Sequence, residues 1–534
     1  MRSALLAIRA VRDPPRAART VSSRHSVRIA SQKSDMRDWC DVSTSQTTSD
    51  SASGSRQGVL DRYFHLNERG TSVWREIRGG VVTFFAMAYI LVLNPIILSG
   101  TDSAGKYLGG GSKPDAAAIV AGTALVAGLM TILMGTVSNF PLALAAGLGL
   151  NSMVAGTIVK IPGMTWADGM GVIVIEGIVI VFLVLTGLRE AIFRAVPKFL
   201  RTAISVGIGL FVTFVGLVNA GIVHKGGEGE TALVFGVNGS VSTWPLVVFT
   251  LGLALTVVLM IRHVKGAILI GIVSTTVLAV AVEAVRHVGP HSGDNPGGWG
   301  LTVPSLKGSP VQTPDFSTLG EFSIAGPFAK IGVVAVVVLA FSVMLADFFD
   351  TMGTMVAVGA EGDLLDDAGN PPNTQRILLV DSLAAIAGGA GGVSSNTSYI
   401  ESSTGVADGA RTGLASVVTG VAFLLSTFFA PLAALVPNEA AAPALVAVGF
   451  LMMQQVAKID WTDLGIAIPA FLTIVFMPFG YSITVGIGVG FICHCMVETA
   501  RGRARKIHPL MWLVSALFVV YFLLDPIQRM LGLI

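Results

Sequence analysis

From residue 75 onward the chain alternates between long apolar runs and short polar breaks. The runs fall near 80–99, 117–137, 143–160, 170–187, 203–222, 244–261 and 266–285. After a polar stretch at 288–326, rich in Gly, Pro and Ser, they resume near 329–352, 375–390, 393–408, 411–430, 441–457, 463–479 and 482–499. A helix needs about 17 to 25 such residues to cross a bilayer, so the pattern predicts fourteen crossings in two series of seven. A last run, 510–524, is short for a crossing and is expected at the interface or beside the bundle. With an odd number of crossings per series, the second series enters from the opposite side, so any internal similarity is an inverted repeat.

Two runs look interrupted. The third carries Ala145-Ala146-Gly147-Leu148-Gly149-Leu150-Asn151, and its counterpart, the tenth, opens with Ala390-Gly391-Gly392-Val393-Ser394. The stretch 394–400 that follows is polar, β-branched and aromatic, a poor helix candidate. Extended backbone at membrane depth is tolerated only where protein, water or ligand satisfies its N–H and C=O groups. If a matching extended stretch ends at Leu150 and Asn151, the two pair and leave two half-helices whose N-termini point into one cavity. Such ends favour acceptors and negative charge.

Composition agrees with the pattern. The 534 residues are 52% hydrophobic and only 13% charged, with 62 glycines, whereas soluble domains carry about 25% charged residues. The chain therefore reads as an all-α polytopic membrane protein, with the lipid bilayer as its first partner. It divides into a basic, Ser-rich N-terminal tail at 1–60, expected to be disordered, a first series at 75–285, an outer loop at 286–327, a second series at 328–500, and a basic loop with an apolar segment at 501–534. The first 33 residues hold many arginines and one acid, Asp13. A transit peptide, an extension upstream of a start at Met36, and a basic cytoplasmic tail fit them equally. A net charge of +2 gives no reason to expect nucleic acid as a partner. Cys40, Cys493 and Cys495 show no ligand spacing, so neither metal nor other cofactor is expected.

Basic clusters set the orientation. Arg75 and Arg78, then Arg189, Arg194, Lys198 and Arg201, then Arg262 and Lys265, and finally Arg501, Arg503, Arg505 and Lys506 all lie on one side if the N-terminus is cytoplasmic. The same topology puts 288–326 and the Asn238-Gly239-Ser240 sequon outside.

Candidate chemistry lies in acids at membrane depth. Asp347 and Asp350 follow the apolar run 331–340, and Glu401 sits between polar residues and Gly405. An ionised Asp at a membrane helix centre costs roughly 2.5 to 3.5 kcal/mol, so an acid there generally faces a cavity, a partner or a transported species. A buried neutral acid bonded to a neighbouring helix is the plainer reading of any single one. An i, i+3 pair with a third acid on an interrupted segment favours a transport site. Glu176 and Asp381 hold helices together or relay protons, and Glu498 is interfacial. No Lys or Arg lies mid-span to balance the central acids. Two nearby carboxylates in low dielectric cannot both ionise cheaply, which makes one of them a proton carrier. A planar ligand with donors and acceptors on its edges suits the site, because a carboxylate accepts from two adjacent donors.

Five ordered segments carry a more specific signal: RGGVVTFFAMAYILVLNPIIL at 78–98, GLGLNSMV from Gly147, ADFFDTMGT from Ala346, TSYIESSTGVADGARTGL from Thr397 and IPAFLTIVFMPFGYSI from Ile468. Together they resemble the AzgA-like purine permeases, the hypoxanthine, adenine and guanine branch of the xanthine/uracil permease superfamily, over about 62–524. The resemblance implies a uracil-permease-like fold of fourteen spans in a seven-plus-seven inverted repeat. A core domain (spans 1–4 and 8–11), a gate domain (5–7 and 12–14) and short strands in spans 3 and 10 come with it. It further implies proton-coupled, alternating-access uptake of a purine nucleobase at the plasma membrane, no enzymatic activity, and a possible homodimer through the gate. Matched by position, Asn151, Asp347 and Glu401 engage substrate, with Tyr399 and Ile400 lining the base plane. Asp350 is a second functional acid, for proton coupling or structure, and Thr351 stands where more distant uracil permeases have a histidine. Transport of another nucleobase, or of an anion on the same fold, is the alternative.

Overall fold

The apolar runs become helices whose lengths follow the runs and whose breaks fall where polar or small residues gather. The computed structural model describes residues 59–523 apart from 188–194, 226–232, 237–239, 293–294, 301, 306–308 and 367–369. The expected disordered tail up to residue 58 with Cys40, Arg189 and Arg194, Asn238 and Gly239 of the sequon, and Leu524 lie outside the described residues. In chain order the first series comprises α1 Val59–Phe64, α2 Val73–Met87, α3 Ile90–Leu98, α4 Ala116–Ser138, β1 Leu144–Ala146, α5 Leu148–Gly156, α6 Trp166–Thr186, α7 Lys198–Asn219, a β2 Val223–Lys225 and β3 Leu233–Phe235 hairpin, α8 Trp244–Ile261 and α9 Ala267–Arg286. The second comprises α10 Ala325–Glu361, α11 Thr374–Ala390, β4 Asn396–Ser398, α12 Ser402–Ala407, α13 Gly413–Ser426, α14 Ala430–Ala434, α15 Asn438–Met453, α16 Leu464–Phe479, α17 Ile483–Ala500 and α18 Pro509–Phe522.

Among the described residues, ten helical stretches are long and apolar enough to cross a membrane, counting α2 with α3 as one. α11 and α16, at 17 and 16 residues, are shorter and stand at the ninth and thirteenth expected positions. The remaining two expected crossings, the third and the tenth, are each a three-residue strand followed by a short helix. β1 and β4 pair antiparallel, Leu144 with Ser398, Ala145 with Thr397 and Ala146 with Asn396. A strand at the third position of each series, meeting its equivalent head to tail, is the arrangement of an inverted repeat. The pairing lies upstream of the expected position. The extended stretch ends at Ala146, and Leu150 and Asn151 are already in the first turns of α5. Gly147, in extended conformation, ends the strand and caps the helix.

Three other boundaries differ from the pattern. The first crossing starts at Val73 and breaks at Ala88 and Tyr89. α10 runs 37 residues, beyond 352 to Glu361, and is kinked at Gly332, where φ is 77°. α18 has 14 residues, about 21 Å at 1.5 Å per residue, too short for roughly 30 Å of hydrocarbon. It packs against α17 and α10 through Met511, Val514 and Phe518.

The helices form two bundles. α2, α4, α6, α10, α11 and α13 pack on one another around β1 and β4, and α7, α8, α9, α15, α16 and α17 form the second. They meet where α5 touches α7, α3 touches α15 and α10 touches α7 and α17. On the basic side, Asp408 takes Arg78 at 2.5 Å and Lys265 at 2.6 Å, tying α2 to the α8–α9 turn. On the opposite side Lys330 is paired with Asp168.

Lipid tails are as apolar as the helices, so close backbone approach between small residues replaces the hydrophobic effect as the glue. A side-chain carbon added at Gly80 would sit 2.5 Å from Ala415 O and 2.7 Å from Val418 Cβ, both on α13. Gly80→Ala is therefore expected to destabilise the first bundle by roughly 1 to 3 kcal/mol through overpacking. Detergent-solubilised protein followed by intrinsic fluorescence during heating should melt several degrees lower. Gly100→Ala, with nothing within 4 Å, should melt as wild type.

Candidate functional site

The two half-helices and the break in the first crossing open onto one cavity of about 100 Å³ between the bundles. The first bundle supplies Tyr89, Gly147–Leu150 at the start of α5, Ala346, Phe349, Asp350 and Thr354 on α10, and 397–401 on β4 and the turn into α12. The second supplies Ile204, Ser205 and Ile208 from α7, and Val448 and Met452 from α15. Wall residues on α7 lie in its first half, next to Lys198, and those on α15 near its end, next to Lys458. The cavity is thus displaced toward the basic side. On the other side α5 meets Tyr481: Thr157 Oγ1 donates to Tyr481 O at 3.2 Å, and the Tyr481 ring stands edge-on to Phe211 and Phe214 at 5.5 and 5.9 Å.

Four of the residues singled out in the sequence reach this wall: Asp350, Tyr399, Ile400 and Glu401. Asp350 is solvent-accessible through the cavity, and Ile400 is 45% exposed there. Glu401 Oε1 accepts from Tyr89 Oη at 2.5 Å. A carboxylate has about four lone-pair positions, so that one bond leaves capacity for a ligand. Tyr399 Oη donates back to Ala146 O at 2.6 Å, and its ring lies 6.4 Å from that of Tyr89. Asn151 N is bonded to Gly147 O, so the amides of Leu148, Gly149 and Leu150 precede the first intrahelical bond, as at any helix start. They belong to the cavity wall.

The other three residues are elsewhere. Asn151 is fully buried and donates to Asn94 Oδ1 at 2.6 Å. Asn94 in turn donates to Thr123 Oγ1 at 2.8 Å and to Val393 O at 3.2 Å. Thr351 donates to Asp381 Oδ2 at 2.8 Å and lies 3.0 Å from Thr397 Oγ1. Asp347 is 0% exposed and lies among Asp381, Glu176 and Thr397, off the cavity wall. Helix geometry explains the split. At about 100° per residue, the stripe Ala346, Phe349, Asp350 and Thr354 faces the cavity, and Asp347 falls about 60° to the side of Asp350. Asp381 holds the strand in place, accepting from Ser398 Oγ at 2.8 Å as well as from Thr351.

Tyr89 and Asn94 were not singled out by sequence reasoning. Both stand in the segment 78–98, where a Tyr and an Asn-Pro inside an apolar run are the only local sign of them. Ser205, which accepts from Gln455 Nε2 at 3.0 Å, leaves no such sign.

The model of a permease family matches residues 75–489. The guanine/hypoxanthine permease PbuG of Bacillus subtilis is 37% identical over 464 residues, covering 87% of this chain and 99% of its own. The adenine permease AdeP of Escherichia coli is likewise 37% identical, over 87% of this chain and 96% of its own. Among solved structures, the transmembrane domain of the cyanobacterial bicarbonate transporter BicA aligns with a TM-score of 0.53 at 14% identity, covering 78% of this chain and 97% of that one. SLC26A9 aligns with 0.55 at 10% identity, over 80% and 66%. At such identities these two show a shared fold alone, whereas the family match spans most of the chain: this protein belongs to the xanthine/uracil permease family.

Proposed function

We propose that this chain carries purine nucleobases, hypoxanthine, guanine or adenine, across the plasma membrane in symport with protons, with its N-terminus cytoplasmic. The observation that carries the reading is the cavity itself. It offers two carboxylates, Glu401 and Asp350, two phenols, Tyr89 and Tyr399, and the start of α5, with no Lys, Arg or His among its lining residues. A purine presents ring N–H and exocyclic N–H groups for carboxylates, and a carbonyl or ring nitrogens for helix-start amides. Relatives named as guanine/hypoxanthine and adenine permeases support the substrate class. The bicarbonate-transporter likeness does not favour an anion, because two carboxylates without a cation on the wall repel one.

In this reading Glu401 and Asp350 hold the base edge, Tyr399, Ile400 and Phe349 flank its plane, and Tyr89 orients Glu401. Asn151, Thr351 and Asp381 position the wall from behind. With the basic side cytoplasmic, the cavity belongs to an inward-facing state in which Tyr481 closes the outer side. Rocking the second bundle against the first then exposes the same site to the other side. α8 and α9, only a third buried within the chain, face lipid or a second copy.

Uptake of labelled hypoxanthine into vesicles with an imposed pH gradient tests the function. Accumulation competed by guanine or adenine, insensitive to sulfate and abolished by a protonophore, is expected. Strong sulfate uptake without purine competition, or accumulation following sodium alone, would contradict it. The binding geometry gives a second expectation. Glu401→Gln replaces an acceptor with a donor, and Tyr89→Phe removes the bond that orients Glu401; an unfilled buried polar group costs roughly 1 to 3 kcal/mol, so each should weaken apparent affinity about tenfold. Protein abundance in the membrane should stay normal. Wild-type KM in Glu401→Gln would remove Glu401 from the site.

A further inference from the structure

Off the cavity wall, a second group of acids is sealed inside the first bundle. Glu176 on α6 and Asp347 on α10 are neighbours, each 0% exposed. Glu176 Oε2 accepts a 3.3 Å bond from Ser395 Oγ, but Glu176 Oε1 and both oxygens of Asp347 meet no donor. The helices packed on α6 here are α11 and α10. The charged groups that face the pair from them are themselves acids, Asp381 on α11 and Asp350 one turn along α10. Asp381 is already occupied by Thr351 and Ser398.

Two adjoining carboxylates, dry and without a cation, do not both stay ionised. A proton shared between them supplies the missing donor and removes one charge. A metal ion fits less well, because no group of three or more His, Cys, Asp or Glu side chains placed to hold one is found among the described residues.

We propose that Glu176 and Asp347 form a carboxyl–carboxylate pair that binds the transported proton at a site separate from the purine cavity. The proposal rests on the proton-symport reading above and says where the proton is held. Thr397 connects the two sites: it lines the cavity, lies beside Asp347 and stands 3.0 Å from Thr351 Oγ1. Its hydroxyl takes a proton from a hydronium ion in the cavity, leaving water, as it donates its own to Asp347, so none is created or lost. Deprotonation reverses the path and leaves two charges that, among the described residues, the hydroxyls of Ser395 and Thr397 are placed to meet. Both flank Asn396 in the segment that ends at Glu401, so the state of the pair is communicated to the purine site through the strand.

Glu176→Gln in reconstituted vesicles tests this, since the amide keeps the volume and donates to Asp347 as the protonated pair would. Exchange of preloaded for external purine should persist at a rate comparable to wild type, while uphill accumulation in a pH gradient and the proton influx accompanying purine are lost. Wild-type accumulation and proton influx in the variant would overturn the proposal, as would loss of exchange in folded protein, which would place Glu176 in purine binding. Asp347→Asn carries the same expectation should Glu176→Gln fail to reach the membrane. Absence of both variants would mark the pair as structural and equally overturn it. Wild-type protein that ignores the pH gradient altogether would refute proton symport itself, a result distinct from any variant.

Discussion

Three residue pairs of β structure in the middle of a helical protein govern the rest of this architecture. The β1–β4 pairing lets both chain segments stop halfway across the membrane without leaving backbone groups unpaired, the one condition on which non-helical backbone is tolerated there. The pairing is extended at its edges by the amide of Tyr399 on Ala143 O at 3.0 Å and that of Gly147 on Ser395 O at 2.9 Å. Thr131 bonds both the N–H and the C=O of Leu144 at 2.9 Å, and Ser402 Oγ accepts from Ala143 N at 3.0 Å. Tyr399 Oη closes on Ala146 O. With every one of these satisfied, the two half-helices begin at fixed points, and the space between them becomes a cavity rather than a core.

What surrounds the strands divides by environment. On the wall, Glu401 and Asp350 face open space and the second bundle's apolar Ile204, Ile208, Val448 and Met452. Behind the wall, Asp347, Glu176 and Asp381 are dry. Carboxylates separated by a single strand therefore stand in different environments, the division on which the proposed purine and proton roles rest. The second bundle contributes mainly shape, which suits a body that moves against a rigid first bundle.

Much of this was legible in the sequence, for particular physical reasons. Hydrophobic run length sufficed for the crossings because bilayer thickness imposes it, and the polar run 394–400 announced a broken helix because nothing in it favours helix over strand. Register was not legible: the first strand ends at Ala146 and not at Asn151, and Gly147, which caps α5, is fixed by close packing, a side-chain carbon there falling 2.9 Å from Thr397 Cγ2. Nor was the break at Ala88 and Tyr89, inside an uninterrupted apolar run, where Tyr89 bonds Glu401 from more than 300 residues away. The division between Asp347 and Asp350 was hidden as well. Helical spacing puts them near one face, but which of them meets the cavity depends on α6 packing over the other, where Thr351 also bonds Asp381 of α11.

The central claim is that the space between the half-helices is the purine site. A cryo-EM structure of the protein saturated with hypoxanthine addresses it directly. Density for a planar ligand between Tyr399 and the α7–α15 wall, with an edge within hydrogen-bond distance of Glu401 and the start of α5, is the expected result. Purine density outside this cavity, or within it but turned away from Glu401 and Asp350, would contradict the account.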